Sequence, residues 1–218
     1  MSRPKLIQTD APPVVAILRG LTPSEALDVG KALLEEGIRV LEVPLNSPDA
    51  LASIARLTGA FGEEALIGAG TVMSEREVIE VAAAGARLVV SPNTHAGVIG
   101  RAVELGLECL PGFLTATEAF TALAAGARQL KLFPAASVGP AYVKALREVL
   151  PVTTGVWAVG GTGAHDLASW LEAGAVGIGV GGALYRAGDS AQRVRERARA
   201  LRAAWQRCVA PTSAADPG

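Results

Sequence analysis

Hydrophobic and polar positions along this chain alternate between short apolar runs and longer amphipathic stretches. Runs such as VVAIL and LIGAG read as strands. TPSEALDVGKALLEEG places Ala26, Leu27, Leu33 and Leu34 near helical spacing behind a Thr cap and Pro23. The unit of helix, Gly-containing turn and short strand then recurs. EEGIRVLEV, AAGARLVVS, LGLECLPG, AAGARQLKLFP and EAGAVGIGVG each put Gly where a helix ends in a left-handed residue and a strand begins. Strands are expected at 14–18, 39–43, 65–68, 87–90, 108–110, 129–132, 155–158 and 176–179, with a helix over 189–206 closing the set. Eight strands with eight crossovers predict an α/β fold, a single (β/α)8 TIM barrel over 1–206 with a polar tail at 207–218. An open doubly wound sheet is the alternative topology.

The length of 218 residues suits one such barrel. Half of the residues are hydrophobic, yet no apolar run approaches the roughly 20 residues needed to span a bilayer. MSRPKLIQTDAPP has neither the apolar core nor the cleavage site of a signal peptide, which predicts a cytoplasmic protein. Cys109 and Cys208 are too few and too far apart for a disulfide framework or a zinc cluster. A formal charge of −1 gives no electrostatic case for nucleic acid or a membrane surface, so a small molecule is the expected partner. In the Arg-rich segment RVRERARALRAAWQRC, Ala198, Leu201 and Trp205 are expected to cover the barrel while the arginines face water.

Barrel strands alternate between interior and helix layer, so polar residues within apolar strands are the informative ones. Lys131 lies between Leu130 and Leu132, which point to the helices and turn it inward on the sixth expected strand. Burial disfavours an ammonium and produces the neutral amine that attacks carbonyls. Glu42 alternates with Val40 and Pro44 and also points inward, from the second strand. The two are an amine and a proton carrier for one substrate, or an interior ion pair. Arg19, in phase with Ile17, ends the first strand where a guanidinium grips a carboxylate, unless it is a plain surface arginine. Thr71 and the Pro92-Asn93 turn also follow strands and are expected at the same mouth.

Two Gly-rich stretches, VGGTG at 159–163 and GVGGALY at 179–185, follow the last two expected strands and precede helical segments. Backbone amides of such loops commonly bind phosphate in barrels, although tight turns need Gly in any case. His95 and His165 have no carboxylates at metal-ligand spacing, and both read as loop or helix-start residues. The catalyst implied uses neither metal nor cofactor.

With these residues placed, the chain resembles the 2-keto-3-deoxy-6-phosphogluconate and 6-phosphogalactonate aldolases from Val14 to Arg199. The resemblance is carried by AILRG, EVPLNSP, IGAGTV, SPN, TATEAFTALAAGA, LKLFP, GPAYVKAL, WAVGG and LYRAG. It implies that Lys131 is the Schiff-base lysine and Glu42 the acid/base. It further implies that Arg19 and Thr71 contact the pyruvoyl end, Phe133 packs beside the lysine, and Gly160, Gly161, Gly181 and Gly182 cradle the phosphate. Val159 stands where gluconate-type members resemble Thr, which favours the galactonate epimer. Gly182 stands where relatives have Ser, leaving amides but no hydroxyl. A homotrimer is implied as well.

The expected reaction is cleavage of 2-keto-3-deoxy-6-phosphogalactonate to pyruvate and D-glyceraldehyde 3-phosphate. One alternative keeps the chemistry on the gluconate epimer or an unphosphorylated keto-deoxy acid. Another is a non-catalytic barrel that binds sugar phosphates.

Overall fold

The computed structural model describes Leu6 and residues 11–210. Strands form where the sequence offers apolar runs. The first three are β1 (Val14–Ile17), β2 (Val40–Pro44) and β3 (Leu66–Gly70), buried at every position, as parallel strands beneath helices are. β4 (Leu88–Val90), β5 (Glu108–Leu110) and β6 (Gly112–Phe113) follow. β7 (Gln129–Leu132), β8 (Gly155–Val159) and β9 (Gly177–Val180) complete the sheet. Between them lie α1 (Ala26–Glu35), α2 (Ala50–Phe61), α3 (Glu75–Ala83) and α4 (Ala96–Glu104). The remaining helices are α5 (Ala116–Ala124), α6 (Pro140–Arg147), α7 (Leu167–Glu172) and α8 (Ala191–Val209).

The start and stop signals are local. Ser74 with Glu77 and Thr115 with Glu118 form reciprocal capping boxes that open α3 and α5. All five junction glycines, Gly37, Gly85, Gly106, Gly126 and Gly174, have φ between 68° and 105°, as the repeat predicts. Thr22 behaves differently from the expected cap. Its amide and hydroxyl both donate to Glu25 Oε2, at 3.2 and 2.6 Å, and this turn delays the helix to Ala26.

The strand order β5-β4-β3-β2-β1-β9-β8-β7-β6 is parallel throughout. Its two ends are halves of one strand interrupted at Pro111, which has no amide to donate. β5 pairs with β4 and β6 with β7, and the Lys131 amide donates to the Pro111 carbonyl at 2.8 Å. The expected eight-stranded barrel therefore has nine strand segments, because the fifth continues past its expected end at Leu110.

Apolar side chains divide into two cores. Leu130, Leu132, Leu41 and Val43 join the layer between sheet and helices. Val15, Ile17, Val40, Leu66, Leu88, Leu110, Trp157 and Val159 fill the barrel interior with Leu6. Near the N-terminal end the Trp157 indole donates to Gln129 Oε1 at 3.0 Å, and Gly155 and Gly177 leave room for these two side chains.

Val194, Ala198, Leu201 and Ala204 bury the inner face of α8, with Trp205 packed at the edge. Its arginines do more than face water. Arg195 pairs with Glu35, while Arg199 and Arg202 converge on the buried Glu36 carboxylate at 3.1 and 3.2 Å, tying α8 to the end of α1. α8 also continues past the expected boundary at 206 to Val209, and residues 211–218 of the expected tail lie outside the described residues.

Candidate active site

Alternation within β7 and β2 brings two ionisable groups into one apolar interior. Lys131 is 7 % exposed and Glu42 2 %. Neither takes part in an ion pair within 4.0 Å among the described residues, so they are near each other without being locked together. Among the described residues Glu42 Oε2 is buried without a hydrogen-bond partner. Such a group is costly to bury and is uncommon outside working sites.

Their electrostatics follow from that burial. Loss of water pushes the Glu42 carboxyl up to about 7, against the opposing pull of Lys131 and Arg19. Desolvation also holds the Lys131 ammonium below its ordinary value; Glu42 opposes that shift and Arg19 reinforces it. Burial thus moves the two groups towards neutrality from opposite ends of the scale, a pattern that marks candidate acid/base sites. The Lys131 Nζ lies 4.8 Å from the centroid of the Phe133 ring.

Above this pair the barrel opens at the C-terminal ends of its strands into a cavity of about 410 Å³. Its walls include Lys131, Arg19, Thr71, Pro92, Phe133 and Val159, together with Gly160, Gly161, Gly181 and Gly182. Glu42 does not line this open space; it is enclosed in the same interior, and Gly70 leaves room for its carboxylate. Every residue expected at the mouth except Asn93 borders the cavity.

The loops are held by specific bonds. Arg19 Nη1 donates to Asn46 Oδ1 at 2.5 Å, and the Gly20 amide to Ser47 Oγ at 2.9 Å, so the segment after β2 aims the one after β1. Thr71 sits at φ 57°, a left-handed conformation that costs a β-branched residue about 1 kcal/mol or more. Gly160 and Gly161 have φ of 100° and 81°, and a side chain at Gly161 would meet Ala136. Thr162 Oγ1 donates to the Gly179 carbonyl at 2.8 Å, fixing the spacing of the two glycine loops.

The model of the family described as "Aldolase: KDPG and KHG aldolase" matches residues 7–196. This chain belongs to that family. The 2-dehydro-3-deoxy-6-phosphogalactonate aldolase of Escherichia coli (strain K12) is 49 % identical over 90 % of this chain and 96 % of its own length. A solved structure described as native KDPGal superposes with a TM-score of 0.90 at 48 % identity, covering 93 % of this chain and 98 % of that one. A cube-shaped protein cage designed by fusing symmetric oligomeric domains has the same TM-score and identity, over 92 % of this chain and 74 % of that one.

As a KDPG/KHG aldolase the protein is a lyase. Sequence reasoning missed Asn46, Ser47 and Thr162, whose roles depend on contacts between loops far apart in the chain. His165 is the other omission. It precedes α7 as a helix-start residue was expected to, yet its side chain also lines the cavity. His95, by contrast, caps α4, its Nδ1 accepting from the Val98 amide at 3.2 Å.

Proposed function

We propose that this aldolase cleaves 2-keto-3-deoxy-6-phosphogalactonate through a Schiff base on Lys131, with Glu42 as acid and base. The observation that carries the reading is the buried Lys131–Glu42 couple, without an ion pair among the described residues and with both members displaced towards neutrality, of which Lys131 lines the cavity and Glu42 is enclosed in the same interior. A structural pair would be locked in contact, since a buried ion pair needs close geometry to offset its desolvation.

The Lys131 amine attacks the C2 ketone, and Glu42 carries the protons that convert the carbinolamine to an iminium and water. The iminium draws electrons from the C3–C4 bond as Glu42, directly or through water, takes the C4 hydroxyl proton. D-glyceraldehyde 3-phosphate leaves, the enamine is protonated at C3, and hydrolysis returns pyruvate and free Lys131. The iminium is itself the electron sink, so this route calls on neither metal nor cofactor. Arg19 and Thr71 hold the carboxylate end, and the amides of Gly160, Gly161, Gly181 and Gly182 receive the phosphate.

Val159, apolar and buried on the cavity wall, favours the galactonate epimer over the gluconate one. Likeness to the galactonate aldolase of E. coli supports the same choice. A homotrimer and a cytoplasmic location belong to this reading. Likeness to a cage built from symmetric oligomeric domains supports self-association, and among the described residues no helix is long and apolar enough to cross a membrane.

The test is borohydride reduction with pyruvate followed by peptide mass spectrometry. An adduct on Lys131 is expected; a controlled absence would leave a sugar-phosphate binder. Parallel kinetics on the two epimers decide the substrate.

A further inference from the structure

Among the described residues three basic side chains line the cavity, Arg19, Lys131 and His165, and the reaction proposed above uses only the first two. Asn46 turns the Arg19 guanidinium towards the segment after β2. His165 stands on another wall, in the loop after β8. A Cβ on Gly163 would lie 3.1 Å from the His165 Nδ1 and 3.8 Å from the Ala183 Cβ, so the imidazole shares its space with the loop after β9.

Among the described residues the imidazole makes no hydrogen bond, and its one charged neighbour there is Asp166. Its Nε2 is 3.7 Å from Asp166 Oδ2, and the Asp166 carboxylate already accepts from the Gly163 amide and the Trp170 indole, both at 2.8 Å. The His165 side chain remains 71 % exposed. In the facing loop no atom of the described residues comes within 4 Å of a Cβ built on Gly182, so that loop offers backbone amides under open space.

We propose that His165 is a substrate-binding residue that grips the terminal phosphate of the keto-deoxy sugar acid. It supplies from the β8 loop the side-chain donor that Gly182 does not supply from the β9 loop. An imidazole N–H suits a phosphate, whose oxygens are strong acceptors. The arrangement places a basic side chain at each anionic end of the substrate and the nucleophile between them. The inference rests on the Schiff-base aldolase reading and deepens it by naming the residue that selects phosphorylated substrates.

The experiment compares wild type, His165→Ala and His165→Gln on 2-keto-3-deoxy-6-phosphogalactonate and its unphosphorylated counterpart, with borohydride trapping of pyruvate alongside. Loss of one charge-assisted hydrogen bond predicts that His165→Ala lowers kcat/KM on the phosphorylated acid about tenfold, mainly through KM, and changes the unphosphorylated acid by less than about twofold. His165→Gln, which keeps an N–H donor, should recover part of the loss. Pyruvate carries no phosphate, so its trapping on Lys131 should match wild type in both variants. Equal losses on the two acids, or no loss on either, would overturn the phosphate role while leaving the aldolase standing. Absence of a Lys131 adduct in wild type would instead overturn the aldolase reading, and this inference with it.

Discussion

Gly70 faces Glu42 so closely that a side chain at 70 would overlap the carboxylate. In the proposed reaction the second glycine of GAGT thus shapes the catalytic geometry without contributing any group of its own. Gly70→Ala is expected to displace the Glu42 carboxylate and lower kcat by about a hundredfold, the cost of a misplacement near 1 Å, while the barrel still folds. Steady-state kinetics paired with a thermal melt check this. An active Gly70→Ala enzyme would mean that Glu42 has room to move without loss.

In the proposed reaction Glu42 also links activity to pH. Its carboxyl is raised to about 7, and the proton-abstracting form is the carboxylate, so kcat/KM should rise as pH passes through about 7. In Glu42→Gln that limb should vanish and the rate fall by about 10²–10⁴. A pH profile of both enzymes is the measurement.

Stability should move the other way. A carboxyl whose folded value is raised above its unfolded 4.5 stabilises the fold fully below 4.5, and that contribution is lost as pH rises through about 7. Glu42→Gln should therefore be more stable than wild type at pH 8, by about 1–3 kcal/mol, with the advantage gone below pH 4.5. Urea melts at both pH values read it. A Gln variant that is less stable at pH 8 would show that the carboxylate is better solvated or paired than its burial implies.

Much of this was legible in the sequence because strand alternation is a local property. Lys131 between two leucines and Glu42 between two apolar neighbours reveal their direction without knowledge of any other strand. The same holds for the five junction glycines, whose left-handed φ is set by their own helix ends. Pro111 shows the limit: a break inside one strand looks like its end, and only pairing of both halves to different neighbours shows continuation. The places of Asn46, Thr162 and His165 at the site escaped the sequence reading for a related reason. Each acts through a partner or cavity assembled by loops from different repeats. Arg199 and Arg202 have the periodicity of a solvated face, and nothing local tells that Glu36 waits opposite, buried.

That buried Glu36 makes a stability prediction away from the active site. Glu36→Gln leaves Arg199 and Arg202 without their shared carboxylate. Since both arginines are partly exposed while Glu36 is not, the expected loss is modest, about 1–2 kcal/mol, with kcat unchanged. Thermal melts of the variant, with kinetics as control, decide whether the link between α8 and α1 stabilises the barrel.

Val159 gives the sharpest test of substrate choice. Its side chain is buried on the cavity wall, and Gly179 leaves room for it. The two candidate substrates differ only in configuration at C4, so a wall that offers no hydrogen bond there accepts one epimer by shape. Val159→Thr keeps the branched shape and adds a hydroxyl, which a hydrophobic wall otherwise lacks. One added hydrogen bond is worth about 1 kcal/mol, so the ratio of kcat/KM should move about five- to tenfold towards the gluconate epimer. An unchanged ratio, with the variant folded and active, would remove Val159 from the discrimination and shift attention to Thr71 and Pro92, which border the same cavity. A fall on both epimers alike would instead show that the new hydroxyl is buried without a partner and disturbs the wall.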